Sequence, residues 1–202
     1  MPERPEVGVI VLAGGEATRL PKKLELRAGD APMLVRVYRN VSAGRKTFIS
    51  TRGSFPPEID AMLDCPMVVD RWPERGPLVG LLSTMEIMET PLVFATAGDA
   101  PFVDAAFIDR VVAAWQPGDE AVVPEHAGGG RAQLEPLAAL YDRVAFLRAG
   151  SQARDNGEGS LHATLARLRM RRLAVSDDEA RRLFTNVNTP DDYAAAAVTW
   201  MG

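Results

Sequence analysis

Cysteine and histidine are nearly missing from this chain. Cys65 is the single cysteine among 202 residues, and His126 and His162 are the two histidines. One cysteine excludes an internal disulfide and any cysteine-rich metal site. Two histidines leave little material for a histidine-based zinc centre. No stretch approaches the ~18 consecutive apolar residues of a membrane-spanning helix. The opening segment MPERPEV also lacks a long apolar run, so no signal peptide is expected. Excess charge is missing too: the formal net charge is −4, whereas a generic nucleic-acid binder carries a broad basic face. Any polyanion must therefore be held by a local cluster of cations. These absences predict a reduced, cytoplasmic, soluble protein with neither nucleic acid nor membrane as a partner.

What is present is an alternation. Short runs rich in Val, Ile and Phe are separated by amphipathic stretches. Strands are predicted at 7–13, 46–50, 67–70 and 91–97, and helices at 31–40, 56–64, 76–89 and 103–115. The unbroken apolar character of VGVIVLA and PLVFATA suits strands covered on both faces. Pro77 falls in the first turn of one helix and an aspartate opens the next. Strand followed by helix, repeated, implies parallel pairing through right-handed crossovers. Beyond residue 116 the pattern loosens. Strands are predicted at 120–124 and 135–141, flanking the glycine-rich EHAGGGRAQ (125–133), which reads as a mobile loop. A helix at 160–168, a strand at 171–175, a short helix at 177–184 and a terminal helix at 191–201 complete the chain. No repeat or linker divides it, so one α/β domain over residues 1–202 is expected. The terminal helix carries an apolar stripe that either packs internally or meets a second copy; a monomer is expected.

The chemistry gathers where strands end, since ligands of doubly wound sheets sit at the carboxyl ends of strands. LAGGEATRLPKK (12–23) leaves the first strand with Gly14 and Gly15, followed by Arg19, Lys22 and Lys23. Bare backbone admits phosphate oxygens. Arg19 offers a fork and Lys23 a point charge. The spacing is not that of a Walker loop, and a tight turn with a solvated basic edge is the plain alternative. Asp99 follows the fourth strand, either as a magnesium-binding carboxylate or as a helix cap, a role for which Asp104 competes. Asp70 ends the third strand, either as a ligand contact or as an ordinary turn aspartate. Gly76 and Gly80 admit a ligand or close helix–sheet packing. Asn186 and Asn188 alternate along an extended segment and point to one face. They either read a polar ring edge or, with Thr189 and Pro190, cap the last helix. Arg131 and Gln133 lie near the same edge, and His126 is expected at the surface.

LAGGEATRLPKK resembles the N-terminal signature of the molybdenum cofactor guanylyltransferases (the molybdopterin-guanine dinucleotide biosynthesis protein A family) and related nucleotidyltransferases. VVD (68–70), GPLVGL (76–81), AGDAPF (97–102) and NVNTPDDY (186–193) follow in that family's order. QLEPLAALY (133–141) looks like its Gln-Pro-Leu-x-Ala-x-Tyr strand. The matches span nearly the full chain. The resemblance implies a Rossmann-like three-layer α/β/α fold with a mostly parallel sheet, of the nucleotide-diphospho-sugar transferase type. Residues 1–115 would form the nucleotide half and 116–202 the acceptor half. It implies GTP as donor, Mg2+ as cofactor and molybdopterin as acceptor, with transient contacts to cofactor-biosynthesis proteins or target molybdoenzymes. Leu12, Ala13, Gly14, Gly15, Lys23, Thr51, Asp70 and Asp99 would bind nucleotide. Arg19, Lys23 and Asp99 would be catalytic, with Asp99 on the metal. Arg131, Gln133, Asn186 and Asn188 would bind the acceptor.

The chain departs from the pattern in places. Arg19 is followed by LPKK where the family has Met-Gly-x-Asp-Lys, so Pro21 replaces glycine and Lys22 the aspartate. Either Lys22 or Lys23 matches the family lysine, Lys23 being preferred because it directly precedes LEL. Thr51 stands where relatives often carry asparagine, which leaves base choice open between GTP and CTP. A nucleotide-binding regulator without catalysis is the reading of a different class.

Overall fold

Val9, Ile10 and Val11 are wholly shielded from solvent, which puts the first strand in the middle of the structure. A computed structural model describes residues 6–14, 19–128 and 130–200. In chain order the first half holds β1 (Val7–Leu12), a 3-10 turn (Lys23–Glu25), β2 (Arg27–Ala28), β3 (Ala31–Pro32), α1 (Met33–Ser42), β4 (Thr47–Thr51), α2 (Pro57–Asp60), β5 (Met67–Val69), α3 (Pro77–Ile87), β6 (Leu92–Ala97) and α4 (Ala105–Ala113). The second half holds β7 (Ala121–Gly128), β8 (Arg131–Leu134), β9 (Ala138–Asp142), α5 (Arg143–Asp155), α6 (Leu161–Leu165), β10 (Met170–Ala174), α7 (Asp177–Leu183) and α8 (Pro190–Trp200).

One eight-stranded sheet runs β10-β7-β9-β6-β1-β4-β5, with β8 paired to β7. β1 pairs in parallel with β4 and β6, β4 with β5, and β7 with β10. β9 is the reversed strand, antiparallel to both β6 and β7. The carboxyl ends of β1, β4, β5, β6, β7 and β10 therefore share one edge with the start of β9. Alternating side chains fill two cores. Val9, Val11 and Phe94 pack toward α1, α4 and α7, while Ile10, Val93 and Ala95 pack toward α3, α5 and α6. This is the Rossmann-like three-layer arrangement.

Several sequence expectations need correction. The segment 125–133 is not a loop over most of its length: β7 continues through Gly128, and Glu125, His126 and Ala127 pair with Leu134, Gln133 and Ala132 of β8. The strand expected at 135–141 begins at Ala138, and the helix expected at 56–64 is reduced to α2. α5 was not visible as a helix. Its buried face is Ala145, Phe146, Ala149, Gly150 and Ala153, and small residues give little apolar signal. They serve close packing, because a Cβ on Gly150 would lie 3.0 Å from both Leu78 and Leu82 of α3. The stripe on α8 packs internally, with Tyr193, Ala196 and Trp200 against Ala28, Met33 and Phe102. No helix among the described residues is long and apolar enough to cross a membrane.

Candidate active site

Backbone hydrogen bonds pin the strand ends together. Ala13 donates to the Ser50 carbonyl at 2.7 Å, and Gly98 to the Leu12 carbonyl at 2.8 Å. Behind them lies a cavity of about 220 Å³, walled by Leu12, Ala13, Gly14, Lys23, Ser50, Asp70, Gly76, Pro77, Gly80, Asp99 and Leu137, among others. Lys23 is the cation that enters it. Its ammonium donates to the Asp99 carboxylate and, at 2.7 Å, to Asn188 Oδ1. The Lys23 and Asp99 side chains are only 14% and 15% exposed. Lys22 instead adopts a left-handed backbone, φ 56°, and turns out to Glu25.

Asp99 is free of capping duty, because Asp104 caps α4 by accepting from the Phe107 amide at 2.8 Å. The C-terminal motif is delivered to Asp99 by its backbone: the Val187 amide donates to the Asp99 carbonyl at 2.9 Å. Thr189 and Asp192 form a reciprocal cap on α8. The Asp192 amide donates to Thr189 Oγ1, and the Thr189 amide to Asp192 Oδ2. The two readings of this motif thus hold together, with Thr189 capping and Asn188 facing the lysine. Asn186 is exposed and has no side-chain hydrogen bond among the described residues. The amide of Asn188 holds Asp192 below the usual carboxylate range, assisted by Thr189 and, more weakly, by the charge of Arg19. Arg19 is exposed and near enough to Asp192 for its charge to be felt there.

Asp70 sits under the glycine turn with its side chain 5% exposed. Burial pushes its carboxyl above the ordinary value, while the Ser50 hydroxyl at 3.1 Å and Arg52 pull it back. Gly80 is a packing requirement: an added Cβ would stand 2.5 Å from Ser50 Oγ and 2.7 Å from Leu12 Cδ2. Gly76 is required by its backbone, φ 124°.

A wider cavity of about 600 Å³ continues past Ala13, Gly14 and Gly76 to Thr51, Arg52 and Phe55. The Thr51 hydroxyl is engaged locally, donating to the Gly53 carbonyl at 2.8 Å. Arg52 escaped the sequence reading. Its guanidinium donates to the carbonyls of Trp72, Pro73 and Glu74 and lies 3.8 Å from Asp70. Its position one residue past a buried strand was the only signal. Gln133 lies away from these cavities, in a third one, and Arg131 is exposed at the start of β8. His126 is not a surface residue: its side chain is 12% exposed and meets Glu135 at 2.9 Å. Gly15 lies outside the described residues. Among those residues no three His, Cys, Asp or Glu side chains gather to hold a metal.

A mostly parallel sheet covered on both faces, with a glycine turn, a lysine and an aspartate at its carboxyl edge, is the arrangement of a Rossmann-like nucleotide-binding protein. The MobA-like NTP transferase domain matches residues 9–173, and the chain belongs to that family. The molybdenum cofactor guanylyltransferase of Burkholderia ambifaria is 32% identical over 203 residues, covering 96% of each chain. Among solved structures, molybdopterin-guanine dinucleotide biosynthesis protein A from Archaeoglobus fulgidus superposes with TM-score 0.78 at 23% identity, covering 95% of this chain and 97% of that one. The 2-C-methyl-D-erythritol 4-phosphate cytidylyltransferase of Thermus thermophilus gives TM-score 0.74 at 17% identity, covering 98% and 100%. These last two likenesses establish the fold.

Proposed function

We propose that this enzyme transfers GMP from GTP to the terminal phosphate of molybdopterin. An oxygen of that phosphate attacks the α-phosphorus, the bond from this phosphorus to the α–β bridging oxygen breaks, and pyrophosphate leaves with the electron pair. The observation that carries the reading is the Lys23–Asp99–Asn188 cluster at the rim of a cavity floored by the 12–14 turn. The Burkholderia ambifaria relative, 32% identical and named a molybdenum cofactor guanylyltransferase, supports this donor and acceptor.

No side-chain nucleophile is required, because the attacking phosphate is already anionic. The residues have to position groups in line and meet charge as it develops. The turn at Gly14 leaves room for phosphate oxygens beside its backbone. Lys23 is anchored by Asn188, so it keeps one partner when it turns to the triphosphate. Arg19 adds a second cation at the mouth. Asp70 and the loop held by Arg52 border the base and ribose side.

The carboxylate of Asp99 fits Mg2+, a hard cation that takes its remaining oxygens from triphosphate and water. When bound there it would neutralise phosphate charge. The chain's first half then serves the nucleotide and its second half the acceptor. The test is pyrophosphate release with magnesium, molybdopterin and each triphosphate in turn. Release with GTP alone is expected. Release with CTP alone would make this a cytidylyltransferase, and tight nucleotide binding without release would make it a regulator.

A further inference from the structure

Two strands from Asp99 the carboxyl edge opens again. A cavity of about 370 Å³ lies between the end of β7, β8 and the far end of α7. The His126 and Phe184 rings form one wall, with centroids 6.0 Å apart and planes tilted by 36°. His126 Nε2 is fixed 2.9 Å from Glu135 Oε1. Asp177 Oδ1 accepts from the Ala127 amide at 2.9 Å, and Gln133 spends its amide nitrogen on the Gly128 carbonyl. Arg181, the cation on this wall, is paired with Asp178.

Acceptor oxygens are left over on three of these side chains, while Arg181 keeps further N–H groups beyond its bond to Asp178. Glu135 Oε2, Asp177 Oδ2 and Gln133 Oε1 have no hydrogen-bond partner among the described residues. One aromatic wall with acceptors at its edge complements a flat ring that presents N–H donors. The one free oxygen on each of Glu135 and Asp177 accepts one such donor. The ring faces offer offset stacking.

The position suits the second half of a substrate. One strand, β9, separates β6 from β7, a lateral spacing of ~10 Å, and β7 runs on past the level at which β6 ends. Leu137, in the wall of the nucleotide cavity, is two residues from Glu135 in the wall of this one. Thr185 on this rim is three residues before Asn188. We propose that the His126–Glu135–Phe184 cavity seats the ring of the acceptor, a pterin, while the acceptor's phosphate reaches Lys23 and Asp99. This rests on the reading of molybdopterin as acceptor. It gives Gln133 a defined place and leaves Arg131 outside the rim.

Quenching of free pterin fluorescence by the whole protein tests the assignment without turnover. Glu135→Gln replaces an acceptor by a donor and should weaken pterin binding by about tenfold. Gln133→Ala, an exposed position without packing duty, should also weaken it, whereas Asp99→Asn should leave it unchanged. The KM for molybdopterin should rise in both cavity variants, with the KM for GTP unmoved. Absence of saturable quenching by the wild type, or equal affinity in the cavity variants, overturns the proposal. If the wild type guanylylates molybdopterin while both cavity variants behave normally, the pocket falls and the function stands. If the cavity variants lose pterin but no triphosphate releases pyrophosphate, the function falls and the pocket stands.

Discussion

Lys23 and Asp99 are paired in this structure, and that pairing states what each does alone. An ammonium and a carboxylate, each about one-seventh exposed, neutralise one another in this structure, and under the proposed function a phosphate and a cation would separate them. Asp99→Asn keeps the shape and the Asn188 anchor but removes the negative charge and one of the two oxygens. Turnover at saturating GTP and magnesium should drop roughly 10²-fold or more, with unfolding still cooperative. Near-normal rates would remove Asp99 from the metal.

Asp70 makes a second residue-scale case, through pH. Burial raises its carboxyl in the folded protein. Its favourable contribution is thus present below the ordinary carboxylate value, near ~3.9, and is lost as pH rises through the raised folded value. At neutral pH the charged form opposes folding. Asp70→Asn should therefore melt higher than the wild type at pH 7, the difference closing as pH falls toward the ordinary value, while nucleotide binding weakens. A variant that melts lower at pH 7 would show that the Ser50 and Arg52 contacts outweigh burial.

At the scale of elements, α3 is set by what it lacks. Gly80 lets the helix lie directly on Leu12 and Ser50, and Ser50 in turn donates to Asp70. Gly80→Ala drives a methyl into that contact. The overpacking should cost about 1–3 kcal/mol, more than the helix propensity of up to about 1 kcal/mol that alanine regains. Thermal melting measures the loss. An unchanged melting temperature would show that Ser50 and Leu12 move aside freely. Most elements were legible in the sequence: β1, β6, α1, α3 and α4 through strong apolar runs, and β4, β5, α6, β10, α7 and α8 at nearly the predicted positions. α5 was hidden because its face is alanine and glycine, and the β7–β8 hairpin because glycines mask strand character. β9 was read as a strand, but its reversed direction depends on pairing with β6 and β7, which no local pattern encodes.

Across the whole molecule, the apolar stripe of α8 is used up against Met33 and Phe102, and the outer strand β5 is only three residues long. Short edges resist strand addition. Sedimentation should return the mass of a single chain, and a stable dimer would contradict this. The sequence by itself determined the alternation of strands and helices, the glycine turn after β1 and the aspartates at strand ends, because periodicity and residue type act locally. Only the tertiary structure decided that Lys23 rather than Lys22 meets Asp99, that Asn188, 165 positions away, completes the cluster, and that Gln133 belongs to a separate cavity. Those outcomes depend on which strands lie side by side, and strand order is settled by burial of the two sheet faces together rather than by any one segment.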